Sequence, residues 1–140
     1  MVDYLDEFLK YKQKHDNWVS VDFLKVEVNE SSISSNPVIN NGVYQKDVLG
    51  NEYKSQAFTY SIVFKYTSDV YEMLENGKFL EDLSYYIKEK NKNKQYPELS
   101  RGRIPQDLSV FQTPFLSQIE SDDTKGIYVI ILELDYIEPR

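Results

Sequence analysis

Residues 56–91, QAFTYSIVFKYTSDVYEMLENGKFLEDLSYYIKEKN, hold two periodicities in succession. Phe58, Tyr60, Ile62, Phe64 and Tyr66 recur at every second position, with Ala57, Thr59, Ser61, Val63, Lys65 and Thr67 between them. One bulky apolar face and one small or polar face mark a half-buried strand of an antiparallel sheet. The period then changes. Met73, Leu80, Leu83, Tyr86 and Ile87, flanked by Phe79 and Ser84, fall on one helical stripe, with Glu81, Asp82, Lys88, Glu89 and Lys90 on the other side. A one-faced sheet must cover its apolar side, and the element that follows offers an amphipathic helix to do it. The core is therefore expected where this helix packs on this strand's aromatic face.

Punctuation places the neighbouring elements. Ser68-Asp69 reads as the helix cap, with Glu72 three residues after Asp69 as in a capping box. Asn76-Gly77 interrupts the stripe, so the helix either kinks there or begins in earnest at Lys78; Gly in a helix interior costs about 1 kcal/mol against Ala. The helix ends in the Asn91-Lys92-Asn93-Lys94 run. Upstream, Val43–Val48 and Glu52–Thr67 read as the arms of a hairpin about Leu49-Gly50-Asn51. Residues 29–42, NESSISSNPVINNG, read as a loop. Trp18–Val28 reads as a strand whose apolar parity shifts near Phe23-Leu24, through a β-bulge or because both faces are partly covered. Residues 2–14 read as a short helix with a stripe of Val2, Leu5, Phe8 and Leu9 and lysines in its last turns, closing at Asp16-Asn17.

Downstream, residues 95–107 read as a loop and Leu108–Leu116 as a strand in which Pro114 requires an edge or a bulge. Residues 121–126 read as a polar hairpin turn, and Ile127–Ile137 as the last strand. Its start, IYVIIL, is apolar on both faces, as in a central or doubly covered strand. The order helix, strand, loop, two strands, helix, two strands predicts an α+β fold. A mixed, largely antiparallel sheet of about four to five strands carries the main helix and the short N-terminal helix on one face. At 140 residues, 1–140 is one domain.

Composition narrows the function. A net charge of −7 argues against a dedicated nucleic-acid binder, which needs basic surface to displace counterions. It is compatible with a surface that DNA passes without sticking. There is no cysteine, hence no disulfide and no thiolate metal site, which fits a cytosolic compartment. No apolar run approaches the roughly 20 residues of a membrane span, and the amphipathic N-terminus lacks a signal peptide's apolar core. The 12 Tyr and 7 Phe suit sheet faces and contact surfaces, where a ring packs and a hydroxyl stays wet.

Chemistry-bearing constellations are scarce. The single histidine, His15, sits among lysines and an Asp on a short helix and reads as a surface residue. Asp122-Asp123 reads as a turn and Glu81-Asp82 as a solvated helix face; neither follows calcium-loop spacing. No glycine-rich phosphate loop is present. No catalytic residue, cofactor or metal is expected. Arg101 and Arg103 stand out in an acidic chain. They either belong to a solvated loop that pairs with helix carboxylates or meet an acidic surface on a neighbouring subunit.

Phe79-Leu80-Glu81-Asp82-Leu83 through Tyr86-Ile87 and Glu89-Lys90-Asn91, then Tyr96-Pro97-Glu98-Leu99, resembles a family of minor capsid or minor structural proteins of tailed phages and prophages of Gram-positive bacteria. The family pattern is an alternating strand, a helix reading F-L-E-x-L-x-x-W-I-E-x-x-N and a loop reading L-P-x-L. A strand ending in T-P-Y-L, an acidic turn and a last strand of the Y-x-I-x-x-x-L-x-Y type follow. The later pieces here are Thr113-Pro114-Phe115-Leu116, Glu120 to Asp123, and Tyr128 to Tyr136. These short motifs run in order from roughly Asn36 to Ile137. The family's Trp is replaced by Tyr85 or Tyr86, and its Gly-Asn before L-P-x-L by Lys94-Gln95; the first 35 residues lie outside the resemblance.

The resemblance implies a tail terminator: a noncatalytic α+β protein of the virion, forming a homo-oligomeric ring, commonly a hexamer, at the head-proximal end of the tail. Such a ring stops tube polymerisation and docks the head connector. Its partners are its own copies, the tail tube protein, a sheath protein where the tail has one, and the connector, with DNA passing through the lumen and no membrane involved. A closed ring needs two different patches per subunit. The candidates are the hairpin (Leu49, Asn51, Tyr53), the arginine loop (Arg101, Arg103) and the strand bearing Phe111 and Phe115. Strand edges could also pair between subunits, except at Pro114. Competing readings are a head-tail connector or head-completion protein, a cytosolic module whose sheet captures a peptide, and a small carboxylate enzyme with two facing acids in a deep pocket.

Overall fold

The computed structural model describes residues 1–11, 19–21, 24, 30–65, 70–119 and 125–140. His15, the parity shift at Phe23, the cap at Ser68-Asp69 and the acidic turn at Asp122-Asp123 lie outside them. In chain order the elements are α1 (Val2–Tyr11), β1 (Val19–Val21), β2 (Ser31–Ser35), a 3-10 turn (Asn40–Gly42), β3 (Val43–Lys46), β4 (Glu52–Lys65), α2 (Val70–Lys92), β5 (Ile104–Ile119) and β6 (Lys125–Glu138). The described strands form one six-stranded sheet in the order β1-β2-β4-β6-β5, with β3 on the early part of β4. All pairings are antiparallel except β1 with β2. The fold is α+β, a mixed sheet with a main and a short N-terminal helix.

The alternating stretch is β4, paired with β6 from Glu52↔Glu138 to Lys65↔Lys125. Phe58, Tyr60, Ile62 and Phe64 face the same side as Leu132, Ile130 and Tyr128 on β6, since cross-strand partners share a face. From α2, Phe79, Leu80, Leu83 and Ile87 bury their side chains on that side, and from α1 Tyr4, Leu5 and Phe8 do the same. Rings tie the layers together. Phe8 packs on Phe79 and Tyr86 at 5.3 and 5.0 Å between centroids, and Phe64 meets Phe79 and Tyr128 at 5.3 and 5.5 Å. Such pairs contribute about 0.5–1.5 kcal/mol each beyond their buried area.

Three local expectations are revised. Residues 31–35, expected in a loop, form β2, with Ser31, Ser32 and Ile33 buried. Their polar composition hides a strand because the hydrogen-bonded ladder between β1 and β4 supplies what the side chains do not. The far face of β4 is not uniformly bare, since Val63 is buried with Ile127 and Val129, and Leu24 packs against them. Helix α2 runs unbroken through Asn76-Gly77. Burial of the stripe just beyond outweighs the cost of one glycine. Its end is a Schellman motif: Gln95 N–H donates to the Lys90 carbonyl (2.8 Å) and Lys94 N–H to that of Asn91 (3.1 Å), with Lys94 at a left-handed φ of 56°.

Strand β5 starts at Ile104, earlier than expected, and forms one side of the described sheet. Its register with β6 shifts beside Pro105 and again between Gln112 and Phe115, around Pro114, the edge or bulge setting that proline requires. Asn91 fixes it to the helix: its amide nitrogen donates to Asp107 (2.8 Å), and its oxygen accepts the Leu108 N–H (2.9 Å). No described helix is long and apolar enough to cross a membrane.

A Cβ on Gly77 would meet nothing within 4 Å. Gly77→Ala should therefore stabilise the protein by about 0.5–1 kcal/mol, roughly 2–4 °C in Tm by thermal unfolding. A loss of stability would mean that the helix depends on a freedom at residue 77 that only glycine has.

Candidate functional site

Large apolar side chains left exposed mark where a fold is unfinished or meets a partner. Here they fall mainly into two groups. One comprises Val38, Ile39, Tyr44, Val48 and Leu49, around the β3–β4 hairpin. The other comprises Leu74 and Tyr85 on α2 and Phe111, Phe115, Leu116 and Ile119 on β5. The expected interface residues are divided between the two rather than gathered in one place.

The hairpin is a stiff knob. Asp47 Oδ1 accepts the N–H groups of Leu49 (2.9 Å) and Asn51 (3.0 Å), and Oδ2 accepts the Asn51 side-chain amide (3.0 Å). Gly50 N–H donates to the Asp47 carbonyl (3.1 Å) at a φ of 89°, where L side chains are strained. A Cβ there would also meet Arg140 Cδ at 2.8 Å. Arg140 is held by its N–H on Asn51 Oδ1 (3.0 Å). These bonds spend the polar groups of the turn inward and leave Val48 fully exposed and Leu49 69% exposed. Tyr53 is half-buried on β4 opposite Ile137.

The arginine loop lies at the same end, because Ile104, just beyond it, pairs with Ile137. Arg101 and Gly102 both take left-handed φ values, 59° and 68°. Arg101 is exposed. Arg103 is held locally: its guanidinium donates to the Ser100 carbonyl (3.0 Å) and hydroxyl (2.9 Å) and stands 5.6 Å over the Tyr136 ring. These partners of Arg103 are neither helix carboxylates nor a neighbouring subunit, the two settings expected for it. Beside it, Lys54 is paired with Glu138, which holds that carboxyl below its ordinary range, helped by both arginines.

Tyr85, Phe115 and Leu116 of the second group line a groove between α2 and β5. It consists of two adjoining hollows of about 470 and 340 Å³ that share Ser84, Tyr85 and Thr113. Leu80, Ile87, Leu108, Val110 and Tyr128 give them an apolar lining, and Phe115 stands at one end. Phe111 is outside the groove and 67% exposed at the shift between Val110 and Gln112. Tyr85 went unnoticed in the sequence as a contact residue, though its position one residue off the buried stripe was a signal. Val48 was equally visible as an apolar residue running into a turn.

Glu133 and Asp135 lie on the face of β6 away from the helices, and Asp107, held by Asn91 of α2, pairs opposite Asp135 on β5. Ser55 donates to Glu133 (3.0 Å). Burial raises the Asp135 carboxyl, opposed by the Ser55 hydroxyl and reinforced by the charges of Glu133 and Asp107. Neither hollow of the groove is lined by these acids. Among the described residues no group of three or more His, Cys, Asp or Glu is placed to hold a metal ion.

Two pH effects of opposite sign follow. The hydrogen bond from Asn51, with the backbone N–H groups, lowers the Asp47 pKa. The turn is therefore fully stabilised above the ordinary aspartate value of about 3.9 and loosens as pH falls through the lower folded value. Amide exchange at Leu49 and Asn51, compared with Asp47→Ala, should show protection lost at low pH in the native chain and at all pH values in the variant. Asp135 is raised, so its charge weighs on the fold as pH rises through its folded value. Burial is the larger cause, and like charges directly opposite are also destabilising, on the scale of roughly 0.2–1 kcal/mol known for cross-strand pairs. Asp135→Asn should add stability within that range at pH 7, and little at pH 3, in denaturant titrations.

Compared with known proteins, the chain matches no family model and no curated sequence.

Proposed function

We propose that this chain is a structural subunit that assembles into a closed ring, and that the ring is the terminator of a phage, or phage-like, tail tube. The observation that carries the reading is the presence of two separate exposed apolar patches, a knob at the hairpin and a groove between α2 and β5. A ring of identical subunits requires two unlike patches of this kind. The resemblance of its ordered motifs to those of minor structural proteins of tailed phages supports the biological setting, and the α+β fold is compatible with it. An acidic chain suits a lumen through which DNA slides without binding. In this reading the protein performs no catalysis. Its partners are its own copies, the tube protein below and the head connector above.

The groove also favours a second reading, a module that captures an apolar peptide between α2 and β5; it leaves the exposed hairpin knob without a role.

Light scattering over a concentration series, alone and with tail tube protein, separates the two. The ring reading expects a mass that stops at a small multiple of 16.5 kDa, either unaided or once tube protein is added. A monomer indifferent to concentration and to tube protein would overturn it.

A further inference from the structure

The groove between α2 and β5 and the hairpin knob are on the same chain, yet the knob cannot reach its own groove. Residues 43–46 and 52–65, on either side of it, are held in ladders with β4, β6 and β2. The tip therefore stays at the end of the sheet where β6 finishes and β5 begins. The groove runs along the flank, past Tyr128 toward the opposite end of β6.

We propose that Val48 and Leu49 of one copy seat in the α2–β5 groove of the next, beside Tyr85 and Thr113. This contact deepens the ring reading and rests on it. Four features favour a second copy as the occupant. The knob exposes two consecutive apolar side chains on a turn already ordered by Asp47, so little freedom is lost when it docks. The groove is apolar and of a size that takes a small group of side chains. Charge agrees as well. Exposed Lys46 and Arg140 flank the tip; of the acids at that end, Asp47 turns inward to its own backbone, Glu138 is paired with Lys54 and Glu52 is half-buried opposite Lys46, while Glu81 stands exposed on the rim of the larger hollow. Lys88, the cation lining the groove, lies two helical turns further along at the smaller hollow. Finally, an end-to-flank contact is heterologous. Each copy uses its knob on one neighbour and its groove on the other, so the chain of contacts ends only by closing. Leu49 and Phe115, which lie far apart within one subunit, are brought together across this contact.

The absence of cysteine makes the contact directly readable in the full chain. Val48→Cys and Thr113→Cys chains would be mixed and mildly oxidised under whichever condition assembles the protein, alone or with tube protein. The expected result is disulfide between the two variants, well in excess of either variant with itself. The doubly substituted chain should give a covalent ladder that stops at the mass measured by light scattering. Leu49→Asp should weaken assembly at least about tenfold while leaving the monomer's circular dichroism unchanged, because the residue touches little of its own chain. Assembly without a knob-to-groove crosslink, or with Val48→Cys chains joined mainly to each other, would overturn the contact and leave the ring standing. A crosslinked ladder of unlimited length would uphold the contact and overturn closure. No assembly under either condition would overturn both.

Discussion

The ladder between β4 and β6 is the constraint on which the molecule is built. Its pairing runs the whole length of both strands, from Glu52↔Glu138 to Lys65↔Lys125. Because side chains alternate, this single register decides which residues reach the helices and which do not. A slip by one residue would turn Tyr60, Ile62 and Phe64 away from the helices and bring Ser61 into the core. Everything else attaches to this pair. β2 and β3 add to β4, β5 adds to β6, and the helices cover the aromatic side. The rings of Phe8, Phe79, Phe64 and Tyr128 form a continuous line from α1 through α2 into both central strands.

Much of this was legible in the sequence because periodicity reports burial directly. The period-two run in 58–64 and the helical stripe at Leu80, Leu83 and Ile87 are consequences of facing one shared core. The doubly apolar start of β6 likewise reflected a strand covered on both faces. What escaped was structure held by backbone. β2 contributes one large apolar side chain, Ile33, and its serines carry no signal, because its stability lies in two ladders and in contacts around Asn36. The Asn36 N–H donates to Ala57 (2.9 Å), and the Asn36 side-chain oxygen accepts from Thr59 (2.8 Å). The unbroken helix through Gly77 escaped for a related reason, since a local propensity of about 1 kcal/mol yields to the burial of several side chains.

The interface candidates were legible by type but not by arrangement. Leu49 was found from its turn and Phe115 from its strand, and nothing in one dimension distinguishes a shared patch from two opposed ones. Arg103 offered a carboxylate pairing or a subunit contact in one dimension because its partner, Tyr136, is distant in sequence and its other partner, Ser100, is a common loop residue. Asn91 reads in one dimension as the end of a helix. In the fold it is a clamp, since it satisfies both Asp107 and the Leu108 backbone and so ties the outer strand to the helix.

The irregularity of β5 has a consequence for how safely such a surface can exist. A protein that exposes Phe111, Phe115, Leu116 and Ile119 along one flank would invite fibrillar aggregation if that strand were flat. Two prolines and repeated register shifts deny incoming strands an even row of hydrogen-bonding groups. Stickiness is thereby confined to side chains, whose fit is selective, and withheld from the backbone, whose pairing accepts almost any sequence.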